Sequence, residues 1–280
     1  MTRRIKRNLI IFGVGIGLYA LFAVFTSVLH LDIWVVLLAY AAIGALAYFL
    51  NRKNIWALRG NYFYVTGHAE RARPLLKRAL EGGVKSPAAH IYYALLLVKE
   101  DKNANEAFKY LDRALEYATN VVDERSAYIT MATCHYMNND AQAAINVLEG
   151  MREKHEYVNT SALVTLGYLY IQTGELDKAL EMSNLAIEDD ANYASAWDNL
   201  GQIYFKQEDF SRARNAFEQA LSLKESLADS NYFMGIICEQ EGEKEQAAEY
   251  FRKAAISPFA FFNSITQEQA DAKYNEYHED

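Results

Sequence analysis

Residues 160–193 read TSALVTLGYLYIQTGELDKALEMSNLAIEDDANY, and the next 34 residues, 194–227, read ASAWDNLGQIYFKQEDFSRARNAFEQALSLKESL. Both stretches contain a Leu-Gly pair followed three residues later by tyrosine, and a third copy of the pattern begins at 228. The small residues that recur at intervals of 34 are Gly167, Gly201 and Gly235, then Ala179, Ala213 and Ala247, and then Ala186, Ala220 and Ala254. A fixed period of this length predicts that most of the chain consists of repeated structural units.

The recurring small residues predict close helix contacts, because a larger side chain would push two tightly packed helices apart. One unit contains Trp197, Leu200, Gly201 and Tyr204 and continues with Ala213 and Phe217. This arrangement resembles the tetratricopeptide repeat (TPR) pattern W-x2-L-G-x2-Y…A-x3-F. The resemblance implies two antiparallel helices per unit, stacked into a right-handed α-solenoid. It also implies that the first helix of each unit lines an inner surface that binds proteins or peptides.

The whole chain is therefore predicted to be all-α. We expect an N-terminal basic segment and two-helix transmembrane hairpin in residues 1–52, a TPR array of about six helix pairs in 53–261, and a C-terminal capping helix and tail in 262–280. The expected units are about 53–86, 87–121, 122–159, 160–193, 194–227 and 228–261. Ser264-Ile265-Thr266-Gln267 fits a capping box at the start of the last helix, and Phe259, Phe261 and Phe262 are expected to plug the end of the stack.

Two apolar stretches, residues 8–29 and 33–50, precede the array. Each is long enough to cross a hydrocarbon core, which takes about 20 helical residues. A buried soluble helix is the alternative, and a cleavable signal peptide fits less well because a second apolar stretch follows. Basic residues flank the pair on both sides, whereas the turn between them has only His30 and Asp32. This charge pattern predicts an integral membrane protein with both termini and the TPR array in the cytoplasm.

The chain has a formal net charge of −8, but residues 1–59 hold seven Lys or Arg and the single acid Asp32, so the remainder carries −14. Such an acidic remainder argues against nucleic acid as a partner. A basic cluster close to the membrane is expected to contact anionic lipid, with a solvated helix face as the alternative. The cluster consists of Arg52, Lys53, Arg59, Arg71, Arg73, Lys77 and Arg78.

Motifs for catalysis are missing. The sequence has no phosphate-binding loop, no G-x-S-x-G elbow and no H-E-x-x-H helix. Cys134 and His135 are neighbours, but adjacent residues on a helix do not face each other. The six histidines are scattered without ligand spacing. We therefore expect no catalytic residue, no cofactor and no metal.

Counting along the first helices from the glycines gives a mostly apolar inner row, which we expect to bind partners. The row comprises Asn61, Tyr64, Ile91, Leu95, Val98, Thr130, Met137, Val164, Tyr168, Ile171, Gln202, Phe205, Tyr232 and Ile236. A register shift of one residue would instead place these side chains in the core. The resulting hypothesis is a non-enzymatic, membrane-anchored TPR adaptor for protein partners. The alternative is a regulatory TPR protein that senses a peptide, and the hairpin or the groove could each support self-association.

Overall fold

A computed structural model describes residues 17, 23, 24, 32–155 and 159–277 of the chain. Within these residues there are thirteen α-helices and no strand, so the all-helical prediction is confirmed for this part of the chain. The chain divides into two compact units, Met1–Val84 and Lys85–Asp280. The first predicted span, residues 8–29, lies almost entirely outside the described residues, and the expected two-helix hairpin therefore stays a prediction.

The first unit contains helices α1, Ile33–Val65, and α2, Ala69–Glu81. The Asp32 side chain accepts the N–H of Trp34 at 2.8 Å and starts α1. From there α1 continues through the predicted span 33–50 into the first helix of the first repeat, so the expected domain limit at residue 52 falls inside a helix. Residues 51–54 read Asn-Arg-Lys-Asn and include no Gly or Pro that would end it.

Helix α1 is long and apolar enough to cross a membrane, and only 6% of its most apolar 18-residue window is buried. Further along the helix, Gly60 lies against α2, where a Cβ atom would come within 2.8 Å of the Leu76 side chain. The N-terminal part of α1 therefore presents apolar side chains outward, whereas its C-terminal part packs as a repeat helix.

The second unit contains five helix pairs and a final helix. The pairs are α3 Pro87–Lys99 and α4 Ala104–Tyr117, α5 Val121–Met137 and α6 Ala141–Lys154, α7 Thr160–Thr173 and α8 Leu176–Asp189, α9 Ala194–Lys206 and α10 Phe210–Leu223, and α11 Ala228–Gln240 and α12 Lys244–Ile256, followed by α13 Gln267–Glu276. Each second helix packs on its own first helix and on the first helix of the next pair.

Sequence signals define the ends of these helices. Side chains of Ser86, Asn103, Asn120, Asp140, Asn159 and Asp209 accept a backbone N–H of the first turn. The turn inside each pair uses a residue with positive φ, either glycine, as at Gly174 and Gly242, or a residue that tolerates the conformation, as at Asn139. The same turn therefore recurs even where the glycine is replaced.

The glycines of the repeat lie where the prediction placed them, at close helix contacts. A Cβ on Gly201 would come within 2.5 Å of the Phe217 ring, and one on Gly235 within 2.6 Å of the Phe251 ring. Both phenylalanines are fully buried. In each pair, the flat ring therefore fills the space that the missing side chain leaves open.

The C-terminal helix differs from the prediction in its cap. Its N-cap residue is Thr266, and the capping box pairs Thr266 with Gln269, two residues later than the motif expected at Ser264. Phe262 was expected to plug the end of the stack, but its ring lies against Tyr136 and Tyr168 on the first helices α5 and α7. The reason is that residues 257–266 turn back across the array, and we call these residues the return segment.

Candidate partner-binding groove

The inner face of the second unit is formed by its first helices. Helices α3, α5, α7, α9 and α11 contact one another in succession, in addition to their contacts with the second helices. Since the first helices approach each other in this way, side chains that point away from the second helices share one surface. We call this surface the groove.

The residues of the predicted inner row differ in their exposure. In the second unit, seven residues of the row are buried, namely Ile91, Val98, Thr130, Val164, Tyr168, Ile171 and Gln202. Five are half-buried, namely Leu95, Met137, Phe205, Tyr232 and Ile236. In the first unit, Asn61 and Tyr64 are half-buried on α1. The row is therefore largely covered, and the role of these residues in binding a partner stays a prediction.

Two kinds of contact cover the row. Ile171 belongs to a hydrophobic core cluster between the helix pairs, and Phe205 packs on Phe210 and Phe233 with ring centroids 5.5 and 4.9 Å away. Tyr168, in contrast, is covered by the return segment. The groove thus already holds a non-helical piece of the chain itself.

The return segment is bound through both its backbone and its side chains. The Tyr168 hydroxyl donates to the carbonyl oxygen of Asn263 at 2.7 Å. The Asp229 carboxylate accepts the backbone N–H groups of Ser264 at 2.8 Å and Ile265 at 3.3 Å. The Phe262 ring lies 5.4 Å, centroid to centroid, from the Tyr168 ring. Helices α7 and α11 therefore hold consecutive peptide groups of one non-helical segment, which bends at residues 261, 262, 264 and 265.

A buried polar network supports these contacts from below. The Gln202 amide donates to Asp198 at 2.9 Å and to Asp229 at 3.3 Å, and the Ser230 hydroxyl donates to Asp198. Burial, followed by repulsion from Asp229, raises the pKa of the Asp198 carboxyl to about 7. Burial also raises the pKa of Asp229, while hydrogen bonds from the return segment act in the opposite direction. The return segment therefore stabilises the charged form of Asp229.

A cavity of about 260 Å³ remains between the groove and the return segment. Its wall includes Ser161 and Thr165 of α7, Ser195 and Asp198 of α9, and Phe262 of the return segment. The cavity lies beside the bound strand and has both polar and apolar walls. The cavity has room for atoms of another molecule.

The sequence prediction missed the polar members of the groove. Gln172, Asp198 and Asp229 contact the return segment or the network beneath it. Two of them could have been found by extending the predicted row by one helical turn, because Gln172 follows Tyr168 by four residues and Asp198 precedes Gln202 by four. The row was chosen near the glycines, where apolar residues dominate.

The basic cluster of the first unit is brought together in part. Arg52, Lys53 and Arg78 line an open cavity with Phe49 and Trp56, where the apolar part of α1 ends. The Arg52 guanidinium lies over the Phe49 ring, 4.1 Å from its centroid. The remaining members, Arg59, Arg71, Arg73 and Lys77, are not among the residues that line this cavity.

Stacked helix pairs with a groove that holds a non-helical segment define a helical-repeat protein of the kind that binds other polypeptides. Residues 71–231 match the family model described as tetratricopeptide repeat protein 21 C-terminal ARM domain, and residues 228–255 match the tetratricopeptide repeat model. The first match covers more than half of the chain, which belongs to the tetratricopeptide repeat family. The resemblance inferred from the glycine period is thus confirmed.

Among known proteins, the chain is similar to the chloroplastic tetratricopeptide repeat domain-containing protein PYG7 of Arabidopsis thaliana, with 38% identity over 56 residues. That match spans 20% of this chain and 19% of PYG7. A crystal structure of a tetratricopeptide repeat protein from Parabacteroides merdae has a TM-score of 0.65 at 18% identity and covers 85% of this chain and 89% of its own. PilW, a type IV pilus biogenesis factor, has a TM-score of 0.59 at 16% identity, with 72% and 91% covered. These structures show the fold.

Proposed function

We infer that this protein is a non-enzymatic, membrane-anchored TPR adaptor that binds protein partners in its groove. The observation that carries the proposal is the return segment, because the groove holds it through hydrogen bonds to consecutive peptide groups. A surface that binds a non-helical segment of its own chain has the geometry to bind one from another chain. The activity is then binding and assembly, with no chemical step.

Membrane anchoring is supported by the exposed apolar side chains of α1. Trp34, Leu38 and Leu50 are 71%, 70% and 65% exposed, respectively. A long row of such side chains is unfavourable in water and favourable in a hydrocarbon core. We place spans at about residues 8–29 and 33–50, with residues 1–52 as the anchor and residues 53–261 and 262–280 as the array and its cap, all in the cytoplasm.

The basic cluster fits this arrangement. Arg52, Lys53 and Arg78 lie where the apolar part of α1 ends, at the level where anionic headgroups would be found. The two aromatic residues of the same cavity, Phe49 and Trp56, suit the membrane interface because their rings are apolar while the surroundings are polar. The anchor would then hold the first repeat close to the membrane.

Anchoring also strengthens binding to partners in the same membrane. Once adaptor and partner are both confined to the bilayer, the second contact is effectively intramolecular, so a weak groove interaction suffices. The negative charge of the array favours partners with basic residues beside the bound strand. This combination suits a scaffold that assembles or localises membrane-associated proteins.

The proposal is tested by photo-crosslinking in living cells. A photoreactive residue replaces Gln172, an exposed side chain of the groove that reaches the return segment, and in a matched variant it replaces Gln142, an exposed side chain on the second helix α6. We expect discrete protein adducts in the membrane fraction from position 172 and none of these from position 142. Identical adducts at both positions, or none at position 172, would contradict binding in the groove.

The topology is tested separately by a reporter fused after Asp280 that is active only in the cytoplasm. We expect activity, because basic residues flank both predicted spans on the same side. Activity of a reporter that functions only outside the cytoplasm would contradict the two-span arrangement, while leaving the groove proposal in place.

A further inference from the structure

The return segment shows in atomic detail what the groove recognises. It crosses first helices of four successive pairs, contacting Tyr136 on α5, Tyr168 on α7, Gln202 on α9 and Asp229 on α11. Residues 257–266 form no helix or strand of their own. The conformation of the segment is therefore set by the groove rather than by local structure.

Three of the hydrogen bonds are made to backbone atoms of the return segment and therefore do not depend on its sequence. The Asp229 carboxylate accepts the N–H groups of Ser264 and Ile265, and the Tyr168 hydroxyl donates to the carbonyl of Asn263. A carboxylate that accepts two N–H groups of one strand forms charge-assisted hydrogen bonds, which are stronger than neutral ones. These contacts fix the direction and the register of a bent, non-helical segment.

Two side chains of the return segment also contact the groove. The Phe262 ring contacts the rings of Tyr136 and Tyr168, with both centroid distances at 5.4 Å. The Ser264 hydroxyl donates to the Gln202 carbonyl oxygen at 2.6 Å and accepts from the Gln172 amide at 2.9 Å. The geometry thus has one position for an aromatic ring and one for a hydroxyl, two residues apart.

The side chains beside these two differ in their contacts. The Asn263 amide oxygen accepts the backbone N–H of Ala260 within the segment, and the Asn263 side chain also hydrogen-bonds the Asp229 carboxylate. The Ile265 side chain packs on Ala254 and Ala270 at the C-terminal cap. The side chains that contact the groove are therefore aromatic, asparagine and serine in succession.

We propose that the groove binds a non-helical segment of a partner protein containing the sequence aromatic-asparagine-serine, and that this segment displaces the return segment from the same atoms. The inference rests on the proposed function and names the chemistry of its ligand. The return segment is an internal competitor, tethered at both ends by α12 and α13 and so present at high effective concentration. The intact chain binds the external segment weakly, and any change that loosens the return segment strengthens that binding.

The test uses the full chain in detergent and a labelled peptide with the sequence of residues 258–266, Pro-Phe-Ala-Phe-Phe-Asn-Ser-Ile-Thr, measured by fluorescence anisotropy. Phe262→Ala in the chain removes the internal ring from the groove. We expect this variant to bind the peptide about tenfold or more tightly than the unchanged chain, since a stacked aromatic contact is lost from the competitor alone. Phe259→Ala is the matched control, because Phe259 packs near the cap and not on the two tyrosines.

Peptide variants establish the register. Alanine in place of the peptide phenylalanine that corresponds to Phe262 should weaken binding about tenfold, and alanine in place of the peptide serine should weaken it severalfold. Adding Asp229→Asn to the Phe262→Ala chain should weaken binding of all these peptides alike, because Asp229 contacts the backbone N–H groups of residues 264 and 265 and the Asn263 side chain, none of which the peptide variants change. Equal affinity for the peptides with and without the ring, or no binding to the Phe262→Ala chain, would overturn the proposal.

Folding is checked by circular dichroism of each variant. Should Phe262→Ala lower the helix content, Ser264→Ala in the chain is the milder variant, because it removes two side-chain hydrogen bonds of the competitor and leaves the ring in place. A severalfold gain in peptide affinity is expected, and no gain would overturn the proposal. If the peptide fails while photo-crosslinks at Gln172 persist, the motif is wrong and the adaptor function stands. If both fail, the proposed function falls with it.

Discussion

Replacing Gly201 by alanine should destabilise the array, although alanine is the better helix former. The new Cβ would lie 2.5 Å from two carbon atoms of the Phe217 ring, whereas carbon atoms in contact are normally about 3.5–4.0 Å apart. The ring must therefore retreat by about 1 Å. It has no free space to enter, because Phe217 is fully buried and stacks on Phe233 at 5.8 Å.

The expected magnitude is the difference of two effects. Overpacking a filled core costs about 1–3 kcal/mol, while the Gly-to-Ala change in a helix returns about 1 kcal/mol. We expect a net loss of up to about 2 kcal/mol in the free energy of unfolding. The assay is urea unfolding of the full chain in detergent, followed by far-ultraviolet circular dichroism.

Gly150→Ala is the matched control. Gly150 lies in helix α6, is exposed, and has nothing within 4 Å of the position a Cβ would take. Without a clash, only the helix propensity counts, and the variant should gain about 0.5–1 kcal/mol. Adding Phe217→Leu to the Gly201→Ala chain should show a coupling of at least about 0.5 kcal/mol, because the smaller side chain relieves the clash. Stabilisation by both alanines, or additivity of the Gly201 and Phe217 changes, would refute the packing argument.

The remaining predictions concern charge, the cap and the lipid contact. Burial raises the pKa of Asp198 to about 7, whereas an unfolded aspartate titrates near about 4. Between these two pH values the folded chain binds more protons than the unfolded chain. The free energy of unfolding should therefore fall as the pH rises through this window. The urea midpoint should be higher at about pH 5 than at about pH 8, and Asp198→Asn should reduce the difference; an unchanged slope would exclude Asp198 as its cause. Thr266→Ala removes the capping box of α13 and should cost about 1 kcal/mol of stability. Amide exchange should become faster in α13 and stay unchanged in α7. Equal acceleration in both helices would contradict a local role of the cap. The double variant Arg52→Gln, Arg78→Gln should retain less anionic lipid after detergent extraction, as measured by native mass spectrometry. The reason is that each basic residue near a membrane surface contributes about 1 kcal/mol to the attraction for anionic lipid. Unchanged lipid retention would indicate a solvated helix face.

The sequence predicted the repeating part of the fold because the repeat period records contacts between neighbouring helices. Gly201 and Gly235 are small for a reason that applies in every copy, namely a phenylalanine ring packed on the helix backbone. Polar residues before the helices, such as Asp209, carry a further local signal that the prediction did not use, since an N-cap requires no knowledge of distant parts of the chain.

The return segment could not be predicted in this way. Residues 262–266 lie beyond the last predicted unit, 228–261, so the period gives no information about where they lie. The contact between Tyr168 and Asn263 joins residues 95 positions apart. Nothing about a tyrosine or an asparagine in the sequence indicates that the two are in contact. The aromatic residues at 259, 261 and 262 did signal burial, but a hydrophobic side chain in a loop does not reveal which of two surfaces it covers.

The polar groove was missed for a different reason. Asp198 and Asp229 are buried carboxyls, and the expectation for acidic residues on a repeat helix is a solvated face. Their burial becomes understandable only with the amide of Gln202 and the peptide groups of the return segment in place. Long-range hydrogen bonds of this kind are set by the tertiary structure.

The central claim is that the first helices of the array hold the return segment by its backbone, and amide hydrogen exchange at Ser264 and Ile265 tests it most directly. Both N–H groups lie outside any helix and donate to the buried Asp229 carboxylate. We predict exchange at least about tenfold slower than in the free peptide of residues 258–266, because a bonded amide exchanges only when the strand leaves the groove. Exchange at the rate of the free peptide would contradict the claim.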